Sequence, residues 1–210
     1  MTHNNDNNQF GRAPTTPSSA STEVALGKGL DVGTANLAAA VQNSEGGITV
    51  TVERNAFLDI NADIYSKNML TKLKVPYVMH NSKLVVVGEA AFELANVFGK
   101  DTRRPMADGL LSPNEADALP IMKMIISKIL GEPRVPGEPC YFCVPAESLD
   151  VDNNIVYHQG LFEGIVNKMG YTAHAINEAH AVVFSELADK DFTGIGLSFG
   201  GGMANACIAY

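Results

Sequence analysis

The stretch GLDVGTANLAAAV, Gly29 to Val41, reads as a strand that breaks into a glycine-containing turn and resumes as a second strand. Asp31 lies at the end of the first strand, where a carboxylate offers a hydrated Mg2+ a ligand, and the turn's N–H groups offer donors to phosphate oxygens. Gly33 lets the turn approach a ligand closely, and Thr34 and Asn36 add side-chain donors. Alone, such a turn also fits an ordinary hairpin. The chain, however, repeats the unit as GLSFGGGMANACIAY, Gly196 to Tyr210, with Gly200, Gly201 and Gly202 at its turn. Gly33 and Gly200 are 167 positions apart. Two glycine turns between strands, so spaced, suit a nucleotide clamped between two related lobes, the second of which begins near Thr193.

Working outward, the segment ITVTVE, starting at Ile48, alternates at period two and reads as a third strand, joined to the second through SEGG. A hairpin follows, VPYVMH then KLVVVG with Asn81-Ser82 at its turn, and then a helix over about residues 89–97. Ser112-Pro113-Asn114-Glu115 has the form of a capping box, which predicts a helix from that point carrying Leu119, Met122, Ile126 and Ile129 on one stripe, bent at Pro120. A strand at PCYFCVP, a helix over about 152–169 closed by Gly170, a short strand THAIN and a helix from Glu178 to about Ala188 complete the run before the closing hairpin. Three meandering strands followed by alternating helices and strands predict an α/β fold, a mixed sheet with helices packed on it.

Composition narrows the function. The 210 residues hold one full domain and part of a second at most, and an apolar fraction of 46% supports a core. The net charge of −8, from 15 basic and 23 acidic residues, argues against nucleic acid as a direct partner. No run is apolar enough to span a bilayer, the N-terminus lacks the layout of a signal peptide, and the expected location is the cytoplasm. Residues 1–23, rich in Asn, Ser, Thr and Pro, read as a disordered tail. Cys140 and Cys143 form a CxxC pattern inside a strand, where that spacing places the sulfurs on opposite faces, so a buried strand is expected rather than a redox or zinc site. The five histidines show no spacing that would build a metal cage.

The segments LDVGTAN, VVVGEAAFELANVFGKDTRRPMADGLLS, FCVPAES, INEAHAV and LSFGGGMA together resemble the actin-like ATPases, most of all the bacterial actins of the MreB, MamK and ParM kind. The resemblance spans Lys28 to Tyr210. It implies the N-terminal, ribonuclease H-like lobe of that fold: a mixed five-stranded sheet flanked by helices, with a small inserted subdomain over about 54–100. On this reading residues 24–192 form the lobe, and 193–210 are the first hairpin of a truncated second lobe. The rest of that lobe, with the adenine contacts, lies outside this chain as its missing partner. The resemblance places Asp31, Gly33, Thr34, Ala35 and Asn36 on the first phosphate loop, with Asp31 holding the metal through water. Gly200, Gly201, Gly202 and Met203 fall on the second phosphate loop. Glu178 falls on the catalytic position that orients the attacking water, although an acid at a helix N-terminus is also favoured by the helix dipole alone. Glu163 and Glu186 have no such context and read as solvated. ATP and Mg2+ are the implied cofactors, and further copies of the chain, joined head to tail in a filament, the implied partners.

The second loop departs from the pattern. Its usual acid is replaced by Ser198 and its threonines by Met203 and Ala204, while Ala179 stands where a proline is usual. The glycine backbone is kept, so the expectation is nucleotide binding with hydrolysis slowed or lost. A chaperone-type nucleotide switch and a non-hydrolysing scaffold are the alternatives. A sugar kinase is disfavoured, because no sugar-binding acid can be placed in this half.

Overall fold

The computed structural model describes residues 26–147 and 155–210. The tail expected over residues 1–23 and the start of the helix expected from Asp152 lie outside the described residues. The chain opens with β1 (Lys28–Val32), β2 (Asn36–Gln42) and β3 (Ile48–Arg54), then β4 (Phe57–Asn61), α1 (Ile64–Lys72), β5 (Val78–His80), β6 (Lys83–Val87) and α2 (Glu89–Phe98). A short hairpin, β7 (Met106–Ala107) and β8 (Leu110–Leu111), leads into α3 (Ala118–Leu130) and β9 (Pro139–Val144). Then come α4, described over Ile155–Lys168, β10 (Thr172–Asn177), α5 (Glu178–Glu186), β11 (Gly194–Phe199) and β12 (Ala204–Ala209).

The main sheet has the order β10-β9-β1-β2-β3, in which β2 runs antiparallel to the other four strands. This is the expected mixed five-stranded sheet, with helices packed on it. Its first two turns are local. The turn between β2 and β3 closes on Asn43, whose Oδ1 accepts from the N–H groups of Glu45 and Gly47. The parallel neighbours β1, β9 and β10 need crossovers, which the stretches containing α3 and α4 supply. Leu30, Val32, Leu37, Phe142 and Val144 from the sheet meet Ile121, Met122, Ile125 and Ile126 of α3 and Phe162 of α4 in one core. The three parallel strands therefore end together, at Val32, Val144 and Asn177, and in open α/β sheets that edge is where ligands bind.

The region between β3 and α3 holds a second sheet, order β4-β6-β5. β4 and β6 carry buried apolar residues on both sides because they lie between two cores. Phe57 and Val85 face the main one, while Leu58, Ile60, Leu84 and Val86 face a smaller one with Leu70 and Leu94. The β5–β6 turn at Asn81 and Ser82 has φ of 46° and 61°, the left-handed pair of a tight hairpin.

One helix start differs from its sequence signal. α3 begins at Ala118 with Asp117 at its N-cap, and residues 113–117 form turns. The reason is Pro120, which has no N–H to give to the carbonyl of residue 116. Starting at Ala118 puts Pro120 in the first turn, where N–H groups lack intrahelical partners anyway. The buried stripe is accordingly Ala118, Ile121, Met122, Ile125, Ile126 and Leu130, with Leu119 and Ile129 at its margin. The elements β4, α1 and the β7–β8 hairpin had no clear signal in the sequence.

Among the described residues β11 and β12 pair only with each other, and this hairpin lies on α5. Gly196 makes the contact possible: a Cβ there would collide with the carbonyl of Ala179 and with Val183 Cγ2.

Candidate functional site

Three turns converge at the ends of the parallel strands. The first, between β1 and β2, carries Gly33 and Thr34, and Asp31 precedes it. The second joins β11 to β12 through Gly200–Met203. The third is the β7–β8 turn at Asp108 and Gly109. Their approach is too close for added side chains. A Cβ on Gly202 would lie 2.5 Å from both the Gly109 nitrogen and Thr34 Oγ1, and one on Gly201 would lie 2.8 Å from the Cβ of Ala35. The Gly109 N–H donates to Thr34 Oγ1 at 3.0 Å. Met203 fills the remaining space against Gly109, so an apolar contact stands where the threonine hydroxyl of the related pattern would be.

Between these turns lies a cavity of about 150 Å3, lined among others by Asp31, Gly33, Thr34, Glu178, Ser198 and Gly200–Met203. Pockets that enclose a whole small molecule run to roughly 300–1,000 Å3, so this one has the size for phosphate groups and not for a complete nucleotide. Gly200 spends its N–H on closing its own hairpin, donating to the Met203 carbonyl at 2.9 Å. The N–H groups of Gly201 and Gly202 meet no acceptor among the described residues and are free for an anion. Ala35 and Asn36 do not line the cavity. Ala35 supports Gly201 from behind, and Asn36 is exposed at the start of β2.

Glu178 enters from the side. Asn177 ends β10 and caps α5, its Oδ1 accepting from the N–H groups of Ala179 and His180, which places Glu178 at the first helical position. Glu178 Oε2 accepts from Asn205 Nδ2 at 2.7 Å and from Ser198 Oγ at 3.4 Å. Asn205 is 3% exposed, and its Oδ1 accepts from the Ala146 N–H at 2.7 Å. It thus ties the end of β9 to Glu178. Its sequence signal was present but faint: an amide at the inward position of an alternating strand, beside Cys207.

Burial raises the Glu178 carboxyl above the usual carboxylate range, and the nearby Asp31 charge adds to this against the two hydrogen bonds. Asp31 reaches solvent at the cavity mouth, yet protein on its other sides raises its carboxyl as well. Cys143, on the opposite face of β9 from Cys140, lies beside both acids, and burial followed by their charges pushes its thiol up to about 12. It is an inert thiol there. Two carboxyls raised by burial, Glu178 further by the Asp31 charge, fit the requirement of a bound divalent ion. Among the described residues no group of three or more His, Cys, Asp or Glu is placed to enclose a metal directly, so the donor set fits an ion that keeps its water shell. Glu163 and Glu186 are exposed and away from the cavity.

Comparisons with known proteins place the chain. No curated protein matches it. Among solved structures, the crystal structure of MreB 5 of Spiroplasma citri bound to AMPPNP is similar at 17% identity and a TM-score of 0.49, covering 77% of this chain. The chain spans 41% of the length of that protein. The model of the Volactin family matches residues 26–210, the whole of the chain beyond the N-terminal segment, and the chain belongs to the Volactin family.

Proposed function

We propose that this chain carries the phosphate-binding lobe of an actin-like protein that binds ATP with Mg2+, assembles head to tail into filaments and hydrolyses the nucleotide slowly. Residues 24–192 form the lobe on this reading, and 193–210 open a second one that supplies the base and ribose contacts. The observation that carries the proposal is the convergence of Asp31, Glu178 and the two glycine turns on one phosphate-sized cavity. Gly201, Gly202 and Thr34 present donors to phosphate oxygens, and Asp31 accepts hydrogen bonds from the water shell of the cation. Glu178, which lines the cavity, orients the attacking water.

Slow hydrolysis follows from the second turn. Ser198 stands where an acid would help to hold the metal, and both Ser198 and Asn205 donate to Glu178. Those hydrogen bonds stabilise the charged carboxylate and weaken it as a base. Met203 brings a thioether where a hydroxyl would reach the water. The backbone cradle does not depend on these side chains.

The test is a titration of the full-length protein with Mg·ATP, followed by phosphate-release and pelleting assays. Saturable binding, turnover well below one per minute and nucleotide-dependent pelleting are expected. Absence of binding, or brisk turnover abolished by Glu178→Ala, refutes the corresponding part of the proposal. Monodisperse monomers under all nucleotide conditions refute assembly.

A further inference from the structure

We infer that Asn55, a buried residue just past β3, is the positioning residue of the first phosphate loop. The inference rests on the nucleotide reading above. Asn55 is 0% exposed and grips the loop twice. Its side-chain Nδ2 donates to the Gly33 carbonyl at 2.9 Å, and its backbone N–H donates to the Ala35 carbonyl at 3.0 Å. Both carbonyls of the turn are therefore drawn to one side, toward the interior.

The consequence comes from the planarity of the peptide unit. In a trans peptide the carbonyl of one residue and the N–H of the next point in opposite directions. With the Gly33 carbonyl held against Asn55, the N–H of Thr34 points away from Asn55. Gly33 and Thr34 line the cavity and Asn55 does not, so the side away from Asn55 is the phosphate side. The turn leaves little freedom to compensate, because a Cβ on Gly33 would lie 2.6 Å from the Asn36 carbonyl oxygen. Asn55 thus aims a backbone donor at the ligand without touching it.

The other half of the same side chain shows that its donor is what matters. Asn55 Oδ1 is buried and has no hydrogen-bond partner among the described residues. An orphaned buried polar atom is costly and calls for an explanation. A leucine has the same branched shape and would remove that penalty, but it would leave the Gly33 carbonyl without its donor. An asparagine in this position is accounted for by its Nδ2–H, which orients the Gly33 carbonyl.

The experiment compares wild type with Asn55→Leu and Asn55→Asp in the full-length protein, measuring the melting temperature without nucleotide and the affinities for Mg·ATP and Mg·pyrophosphate. Asn55→Leu is expected to melt close to the wild-type temperature, because losing the orphaned Oδ1 offsets losing the Gly33 bond, while both affinities fall at least tenfold, in equal proportion because the base is not involved. A purely structural role predicts the opposite pattern, with lower stability and intact binding. Asn55→Asp keeps the size but turns the donor into an acceptor facing the Gly33 carbonyl, and is expected to lose binding as well; it decides the matter should the leucine variant not fold. Variants that fold and bind both probes within twofold of wild type overturn this inference alone. A wild-type protein that binds neither probe overturns the nucleotide reading and this inference with it.

Discussion

Glu178 weighs against the stability of the fold. Burial raises its carboxyl and that of Asp31, and the Asp31 charge raises Glu178 further, which means the folded state favours their protonated forms. A group with a raised folded pKa contributes stability that is complete below its unfolded value and is lost as pH rises through the folded one. At neutral pH both therefore weigh against the fold. Glu178→Gln keeps an oxygen that can accept from Asn205 and removes the charge. The expected outcome is a higher melting temperature at pH 7 without nucleotide, the gain shrinking toward about pH 4, where the wild-type carboxyl is protonated too. Thermal melts across that range check it, and a variant no more stable than wild type at pH 7 contradicts the reading. At this scale Asp31 and the two glycine turns were visible in the sequence as local patterns, whereas Glu178 was singled out by the family resemblance, a helix-starting acid being unremarkable by itself. Asn55 and Asn205 were not singled out. Each matters through a partner 20 or more positions away, and the faint signal of an inward amide in β12 does not by itself announce the contact.

Among the elements, the attachment of the β11–β12 hairpin decides whether the second glycine turn reaches the cavity at all. It lies on α5 through Gly196, Cys207 and Val183, a small contact with no spare room. Gly196→Ala inserts a methyl group against the Ala179 carbonyl and Val183. The expected cost is about 1–3 kcal/mol, as for other overpacked positions, with the hairpin displaced from α5. Limited proteolysis reads this directly: new cleavage between Leu187 and Thr193 is expected, while the five-stranded sheet stays protected. The helix α3 teaches a related lesson. Its capping-box signal at Ser112 was sound chemistry in isolation, but Pro120 eight residues later set the start by where its missing N–H could be tolerated. The sheet strands were easier to place, since alternation and turn residues agreed along each of them.

At the scale of the molecule, buried carboxylates join parts that the core alone leaves separate. Glu53, at the end of β3, accepts from the Glu89 N–H at the start of α2 and pairs with Lys128 of α3, linking both sheets to the long helix. Glu138 is sealed from solvent, and takes hydrogen bonds from the Arg134 side chain and backbone and from the Gly27 N–H, tying the start of β1 to the loop before β9. Burial acts to raise both carboxyls, but these hydrogen bonds and the paired cations outweigh it and leave them below their usual values. Lowered folded pKa values give stability that is present above the unfolded values, about pH 4, and lost as pH falls through the folded ones. Acid unfolding should thus begin below about pH 4 and be led by these groups, opposite in sign to the two site carboxyls. Arg134→Ala strands the Glu138 charge in the interior and is expected to destabilise the protein by about 3–5 kcal/mol, measured by urea unfolding at pH 7. A loss below about 1 kcal/mol would show that the pair behaves like an exposed one.

What the sequence by itself determined were the two glycine turns, the acid at the end of β1, the strands that flank them and, from their order, the mixed sheet. All of these rest on period, turn chemistry and strand order, which are written into neighbouring residues. Only the tertiary structure decided that Met203 seals against Gly109 and that Asn205 and Asn55 hold Glu178 and the first loop. Those facts depend on which distant groups come within 3 Å of one another, and packing, rather than local preference, sets that distance.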